Sequence, residues 1–215
     1  MTNIKIKTLK QANILVGGSL TKTSKMPTLS YSIPAKECKQ GQKLRKISGS
    51  VCSTCYAQKG NYIRYKAIIK SQYKRLHSLK QPFWVSAMVY LIENSKATKE
   101  SGLFRWHDSG DLQDTNHLRK IMQVVHATPN IKHWLPTKEK RIIENIENGK
   151  MPPNLIIRLS GSMVDGKAPN TIFNTSTVTS DKNLATCRSF ENNGKCGDCR
   201  KCWNINIKNV VYLKH

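Results

Sequence analysis

The seven cysteines of this 215-residue chain fall into two groups, and their spacing restricts the fold more than any other feature. In the first group, thirteen residues separate Cys38 from Cys52, and two residues separate Cys52 from Cys55. Eight, two and two residues separate the members of the second group, which are Cys187, Cys196, Cys199 and Cys202. In a reducing compartment, clusters of closely spaced cysteines are typical of metal sites.

The rest of the sequence favours such a compartment. No apolar run approaches the ~18 to 20 residues of a membrane span, and the stretch "ANILVGG" is too short and too poorly flanked for a signal peptide. We therefore expect a cytoplasmic protein without a membrane partner, whose cysteines are ligands rather than disulfides. The sequence leaves the oligomeric state open.

The first cysteine group offers three thiolates, whereas structural zinc takes four ligands. No histidine lies near Cys55, since the first histidine of the chain is His77. An iron–sulfur cluster held by three thiolates instead keeps one iron open to a small molecule. We therefore predict a [4Fe–4S] cluster on Cys38, Cys52 and Cys55.

The second cysteine group can close a tetrahedral site with its four thiolates, so we expect a bound metal there as well. Two successive C-x2-C steps are closer to ferredoxin ligation than to the separated pairs of a zinc ribbon. The prediction is a second [4Fe–4S] cluster, with structural zinc as the alternative, on Cys187, Cys196, Cys199 and Cys202.

Hydrophobic periodicity predicts alternating strands and helices through the middle of the chain. The predicted strands are Thr28–Ala35, Leu103–His107, Lys132–Pro136 and Asn154–Leu159, with one or two more in Asn170–Thr179. The predicted helices are Tyr62–Lys80, Pro82–Ser95, Thr115–His126 and Lys138–Asn148. This order indicates an α/β fold with a parallel sheet, open or curled into a partial (β/α) barrel. The predicted regions are a basic N-terminal arm (1–26), the partial-barrel domain (27–184) and a Cys-rich metal-binding tail (185–215).

Polar residues follow the predicted strands at their carboxyl ends, where functional groups collect in parallel α/β folds. The three-cysteine loop follows the first strand, and the segment "HDSGD", His107–Asp111, follows the second. Thr137 follows the third strand, and Arg158, Ser160 and Ser162 lie at the end of "NLIIRLSGS". We expect these groups to meet at one edge of the sheet.

This layout resembles the radical S-adenosylmethionine (SAM) superfamily, in which a three-cysteine cluster follows the first barrel strand. The first cysteine spacing is longer here than the C-x3-C-x2-C of most members. The resemblance implies that SAM chelates the open iron and that an electron donor such as flavodoxin or ferredoxin reduces the cluster. Cleavage of SAM would then yield a 5′-deoxyadenosyl radical that abstracts hydrogen from the substrate.

The same resemblance implies roles for the strand-end residues. The turn formed by Ser109, Gly110 and Asp111 is similar to the glycine-glycine-acid motif of radical SAM barrels and would receive the SAM amino group. Asp108 and Asp111 are the predicted catalytic acids. The remaining predicted SAM-binding residues are Tyr56, Thr137, Arg158, Ser160 and Ser162.

The net charge of +23, from 36 Lys and Arg against 13 Asp and Glu, indicates a polyanionic partner. A lysine-rich coding bias is the alternative source of surface lysine. The helix predicted at Tyr62–Lys80 has a basic face and directly follows the cysteine loop. This position favours a nucleic acid or a nucleotide as the substrate.

Several longer blocks resemble a family of phage proteins, the gene-product-eighty-eight family. They lie between Met26 and Trp203 and include "SYSIPA", "CSTCYAQKGNY", "RWHDSGDLQ", "HWLPTKEK", "NLIIRLSGS", "TSTV" and "KCGDCRKCW". The resemblance implies an origin in a phage or an integrated element, and therefore the host cytoplasm as the location. It supplies no activity.

Two other functions remain compatible with these residues. A nucleic-acid-binding protein without enzymatic activity would use both cysteine groups for structural zinc. A metal-dependent nuclease would instead bind a divalent cation through His107, Asp108 and Asp111.

Overall fold

A single sheet organises the protein in the computed structural model, which describes residues 5–146 and 151–214. Its strands follow one another in chain order, with β1 antiparallel to β2 and every later pair parallel. The strands are β1 (Thr21–Lys22), β2 (Leu29–Tyr31), β3 (Leu103–Trp106), β4 (Lys132–Thr137), β5 (Leu155–Val164), β6 (Asn174–Thr179) and β7 (Asn209–Leu213).

The sheet is open, because β1 and β7 are its two edges in the described residues. The expectation of a mixed α/β fold with a mostly parallel sheet is therefore confirmed. The predicted strands correspond to β2 to β6. Because the strands from β2 onward are parallel, their carboxyl ends all lie at one edge of the sheet, together with the loops that follow them.

The helices connect these strands. They are α1 (Leu9–Leu15), α2 (Lys39–Arg45), α3 (Asn61–Arg64), α4 (Lys66–Ser78), α5 (Trp84–Asn94), α6 (Lys96–Ser101), α7 (Thr115–Ala127) and α8 (Lys140–Ile143). In the ranges that the structure describes, no helix combines the length and the apolar character needed to cross a membrane.

Two of the predicted helices differ in extent from the observed ones. The stretch Tyr62–Lys80 is divided between α3 and α4 at Tyr65, whose backbone is extended (φ −98°, ψ 112°). The stretch Lys138–Asn148 contains only the single turn of α8, and its predicted end at 147–148 lies outside the described residues. Thr137, predicted to follow the third strand, is the last residue of β4.

The sheet is buried on both faces, as is usual for parallel strands. Alternate residues of a strand lie on opposite faces. Phe104 and Trp106 of β3 belong to the main core, together with Trp84 of α5. Leu103 belongs to a second apolar cluster with Trp203 from the C-terminal segment. The helices therefore cover one face, and the C-terminal segment covers part of the other.

Both terminal regions are built into this domain. Ala12 of α1 and Val16 immediately after it are fully buried in the main core. At the other end of the chain, β7 pairs with β6, and Trp203 donates from Nε1 to the carbonyl oxygen of Phe104 at 2.9 Å. The regions predicted as an arm and a tail thus contribute a helix and a strand to the packed structure.

The hydroxyl group of Tyr31 joins β2 to three helical segments. It lies 2.9 Å from the carbonyl oxygens of Val16 and Arg75 and 3.0 Å from Oγ of Ser78. It also accepts a hydrogen bond from Nε1 of Trp84 at 3.1 Å. Burial raises the pKa of Tyr31 to about 12, so the hydroxyl remains protonated at neutral pH.

We expect Tyr31→Phe to lower the free energy of unfolding by about 1–3 kcal/mol, because buried partners of the lost hydroxyl are left without a hydrogen bond. The matched control is Tyr90→Phe, whose hydroxyl makes a single exposed bond to the carbonyl oxygen of Lys7. Its expected cost is within about 0.5 kcal/mol. Equal losses of the two variants in urea denaturation would contradict the role assigned to Tyr31.

Candidate functional site

The first cysteine group is gathered around α2. Cys38 precedes this helix as its N-cap residue, and Cys52 lies in the short 3-10 turn Val51–Thr54. A β-carbon built at Gly41 of α2 would lie 3.8 Å from Sγ of Cys38 and 3.9 Å from Sγ of Cys52. Cys55 is held beside Cys52 by a backbone hydrogen bond of 3.2 Å. The thirteen residues between Cys38 and Cys52 therefore form a loop that brings Cys52 back beside Cys38.

Gly41 allows α2 to pack closely on Cys38. It is buried in the interior of α2, where glycine normally costs stability relative to alanine. Any β-carbon at this position would lie 2.8 Å from Cβ of Cys38, which is closer than two carbon atoms can pack. The glycine is thus explained by the approach of α2 to the cysteine that precedes it.

Two charged side chains hold α2 against the strand ends. Glu139, after β4, accepts the backbone N–H of Gln40 through Oε1 at 2.7 Å. Lys39 donates from Nζ to the carbonyl oxygen of Gln113, which lies between β3 and α7, at 2.5 Å. The cysteine loop is therefore attached to the carboxyl ends of both neighbouring strands.

The three thiols share their surroundings with one acid and one base. Burial is the main cause that raises the pKa of Cys38 and of Cys52, and the nearby carboxylate of Asp111 raises both further. Burial lowers the pKa of Lys138. The negative charges of Cys52 and Asp111 act in the opposite direction. The Lys138 ammonium group donates to the carbonyl oxygen of Gly161 at 2.5 Å. Without a bound cation, the thiols of Cys38 and Cys52 are protonated at neutral pH.

Asp111 connects the loop after β3 to the end of β4. Its Oδ1 accepts the hydroxyl of Thr137 at 2.5 Å and the backbone N–H of Leu112 at 2.7 Å. Its Oδ2 accepts the backbone N–H of Lys138 at 2.8 Å. Burial raises the pKa of Asp111 to about 6, although these three hydrogen bonds act in the opposite direction.

The other predicted acid, Asp108, anchors the segment that follows Cys55. Its Oδ1 accepts the hydroxyl of Ser30 at 2.5 Å, and its Oδ2 accepts the hydroxyl of Tyr62 at 3.0 Å. Tyr56 donates its hydroxyl to the carbonyl oxygen of Asp108 at 2.6 Å. Both carboxylate oxygens of Asp108 are therefore engaged by tyrosine and serine side chains.

Several polar atoms of the "HDSGD" segment are buried without a hydrogen-bond partner in the described part of the chain. They are both ring nitrogens of His107 and Oγ of Ser109. His107 has the positive φ of 55° that bulky residues rarely adopt, and its ring centroid lies 5.2 Å from that of His117. Unsatisfied buried groups and an unusual backbone often mark sites that bind a ligand.

Arg158 serves the C-terminal segment. All five of its N–H groups donate to carbonyl oxygens at distances from 2.8 to 3.2 Å, and four of these acceptors lie between residues 201 and 207. Of the two serines predicted beside it, Ser160 contacts Oγ of Ser176 at 3.2 Å, and Ser162 is exposed. Because carbonyl oxygens of the protein accept all five N–H groups, the Arg158 guanidinium group has no donor left to bind an anion.

The second cysteine group also comes together. Burial raises the pKa of Cys196 and of Cys202, and the charge of Cys187 raises both further. The backbone N–H of Cys199 donates to the carbonyl oxygen of Cys196 at 3.0 Å, and Sγ of Cys202 lies 3.1 Å from the hydroxyl of Tyr212. None of the seven cysteines forms a disulfide.

Arg105 lies between the two cysteine groups and was missed by sequence reasoning. Its Nη2 donates to the hydroxyl of Tyr56 at 3.4 Å, and its guanidinium carbon lies 4.6 Å from the ring centre of Trp134. Its charge acts against the effect of burial on the pKa of Cys196 and Cys202. The available signal was a charged residue inside the otherwise apolar strand "LFRW".

Within residues 5–146 and 151–214, no group of three or more His, Cys, Asp and Glu side chains has the compact arrangement of a metal-ion site. This finding applies to both cysteine groups and to the "HDSGD" segment. The cysteine side chains within each group are neighbours, but they are not drawn together around a common point.

Comparison with known proteins yields one family match. The family model described as "Gene product 88" matches residues 3–205. The match confirms the resemblance carried by the sequence blocks and supports the assignment as a phage protein; it adds nothing to the likeness to radical SAM enzymes. Neither the curated proteins nor the solved structures contain a match to this chain.

We expect Gly110→Ala to lower the free energy of unfolding by about 2–4 kcal/mol, since the backbone is left-handed and the new β-carbon would overlap Ile33. The φ of Gly110 is +86°, and its β-carbon would lie 2.7 Å from the carbonyl oxygen of Ile33.

The matched control for this variant is Gly102→Ala. Gly102 is also left-handed (φ +64°), but its nearest neighbour would be 4.0 Å away. The expected cost is about 1 kcal/mol, from backbone conformation alone. If urea denaturation gave the same loss for both variants, the close packing of the "HDSGD" segment on Ile33 would not be a determinant of stability.

Proposed function

The chain belongs to the gene product 88 family, and we propose that it is an iron–sulfur enzyme of the radical SAM type that acts on a nucleic acid or a nucleotide. One observation carries the proposal. The thiols of Cys38, Cys52 and Cys55 lie together at the carboxyl ends of the parallel strands. Asp111 and Lys138 are close enough to interact electrostatically with them. An open, mostly parallel sheet with the three-cysteine loop after its first parallel strand supports this proposal.

The three thiols suit a cluster better than a single ion. Structural zinc takes four protein ligands, whereas three thiolates are enough to hold a cluster that keeps one iron open. Because thiols bind metal as thiolates, loading would release the protons that burial retains on Cys38 and Cys52.

Other buried groups at the strand ends support a polar cosubstrate. Asp111 keeps one acceptor position on Oδ2, since only the backbone N–H of Lys138 occupies that oxygen. The Oγ of Ser109 is buried without a partner in the described residues. These two atoms are suited to an ammonium group such as that of SAM.

When bound, the cluster would supply the electron that cleaves SAM into methionine and a 5′-deoxyadenosyl radical, and a donor such as flavodoxin or ferredoxin would return that electron to the cluster. The protein binds and orients the cosubstrate and excludes water. Lys138 places a positive charge beside three thiolates and so reduces the cost of burying a negatively charged site. Arg105 does the same for the second group, for which we propose a second [4Fe–4S] cluster or zinc.

The nuclease alternative receives less support from this geometry. Both oxygens of Asp108 are engaged, by Ser30 and Tyr62, and Oδ1 of Asp111 accepts two hydrogen bonds, which leaves one acceptor position on Oδ2 of Asp111. A hydrolytic metal ion requires carboxylate oxygens that are free to coordinate it. The zinc alternative uses the same thiols and is separated from the proposal by metal content.

We expect protein purified and reconstituted without oxygen to hold about four irons and four sulfides at the first cysteine group. With dithionite and SAM, it should release 5′-deoxyadenosine, measured by chromatography. Cys52→Ala should remove these irons and this product.

The matched control is Cys199→Ala, which removes a thiol of the second group and should reduce only the metal content of that group. Zinc at both sites would contradict the radical SAM proposal, as would fewer than about three irons per reconstituted chain. Loss of the first group's iron in Cys199→Ala but not in Cys52→Ala would contradict the assignment of the two sites.

A further inference from the structure

The chain segment that contains the first cysteine group is strongly basic. Residues 38–92 contain eleven Lys and Arg residues and no Asp or Glu, although the chain has 13 acidic residues in all. From Lys59 to Ala67, every residue except Tyr62 is exposed. We name residues Lys59–Ala67, together with Tyr56, the basic–aromatic surface. A surface of this charge is complementary to a polyanion.

The cations of this surface are available to a ligand. In the described chain, the side chains of Lys59, Arg64 and Lys66 make no hydrogen bond or ion pair. Three ion pairs between exposed side chains lie elsewhere in the described residues, among them Lys96 with Glu100 at 3.7 Å. Phosphate groups would therefore meet unpaired positive charges.

Large apolar side chains are exposed among these charges. Tyr56 is 48% exposed, Ile63 47% and Tyr65 51%. The ring of Tyr56 is held in place although it is exposed. Its hydroxyl donates to the carbonyl oxygen of Asp108, and the ring packs edge-on against that of Tyr62, with 6.0 Å between the ring centroids. Rigid exposed aromatic rings among basic residues are the features on which unpaired bases stack.

We propose that the basic–aromatic surface binds single-stranded nucleic acid, with bases stacked on Tyr56 and Tyr65 and phosphates bound by Lys59, Arg64 and Lys66. The backbone break at Tyr65 between α3 and α4 separates this ring from the regular helix surface. The claim that the bound nucleic acid is the substrate rests on the proposed function, because the surface follows Cys55 directly along the chain. The claim that the surface binds nucleic acid rests on its charge and exposure alone.

A bilayer surface is the other polyanion to consider. Membrane-surface helices present a long apolar face to the lipid. Here α3 has four residues, and the apolar Ile68 and Ile69 of α4 are half-buried in the protein. A duplex would satisfy the charges but offers no unstacked base to the tyrosine rings. Single strands fit both features.

The test is fluorescence anisotropy with the full-length protein and labelled RNA and DNA of about 16 nucleotides, single-stranded or duplex, over a range of salt concentrations. Single strands are expected to bind on the order of tenfold more tightly than the duplex, with affinity falling as salt rises. Tyr65→Ala should weaken binding on the order of tenfold, whereas Tyr65→Phe should retain it, since the ring is kept.

A pair of double variants with the same change in charge tests the cations. Lys59→Ala with Lys66→Ala should weaken binding and flatten its salt dependence. Lys99→Ala with Lys132→Ala removes two exposed lysines near the opposite, amino ends of β3 and β4 and should leave binding unchanged. Circular dichroism of each variant separates a loss of binding from a loss of folding.

Three results would overturn the inference. They are equal affinity for the duplex, no effect of Tyr65→Ala, or stronger binding to phosphatidylserine-containing vesicles than to the oligonucleotides. These outcomes are independent of the enzymatic proposal, because binding is measured without SAM or reductant. Protein that binds single strands but forms no 5′-deoxyadenosine would contradict the proposed reaction and support the binding surface. Protein that forms 5′-deoxyadenosine but does not bind single strands would support the reaction and contradict the binding surface.

Discussion

The buried carboxylate of Asp111 is the interaction on which the strand-end site depends. It ties the loop after β3 to Thr137 and Lys138 at the end of β4. The side chain of Lys138 continues the connection to Gly161 in β5, and so three consecutive strands are joined at their carboxyl ends. Asp111 is also close enough to Cys38 and Cys52 to raise the pKa of both, and Lys138 is close enough to Cys52 to lower its pKa. The position of the cysteine loop therefore follows from contacts between strand ends.

Sequence patterns predicted the strands β2 to β6 and the strand-end clusters, because periodicity and breakers are local signals. They did not predict α2, since Gly41 lies in the middle of it and its apolar positions are few. The break at Tyr65 was missed because the helical spacing of apolar residues continues across it. The tight "HDSGD" turn was identified by its composition, but its packing on Ile33 depends on a residue more than seventy positions away.

Arg158 shows why a residue type at a strand end does not fix its role. Arginine after a buried strand is suited to a bound anion, and the sequence supports that interpretation. In the folded chain, its five donors meet carbonyl oxygens from Thr175 and from the segment around Cys202 and Ile207. These partners are far along the chain, and only the closing of the C-terminal segment over the sheet brings them within reach.

The strand order also bears on how the chain is made. Each strand from β2 to β6 pairs with the strand synthesised immediately before it, so the sheet can grow in one direction as the chain leaves the ribosome. Its second face remains uncovered until Trp203 and β7 arrive at the very end. During that interval, Leu103, Trp134 and Arg158 lack their final partners. Residues 185–214 thus cover this face, and a chain that ended before them would expose an apolar face of the sheet.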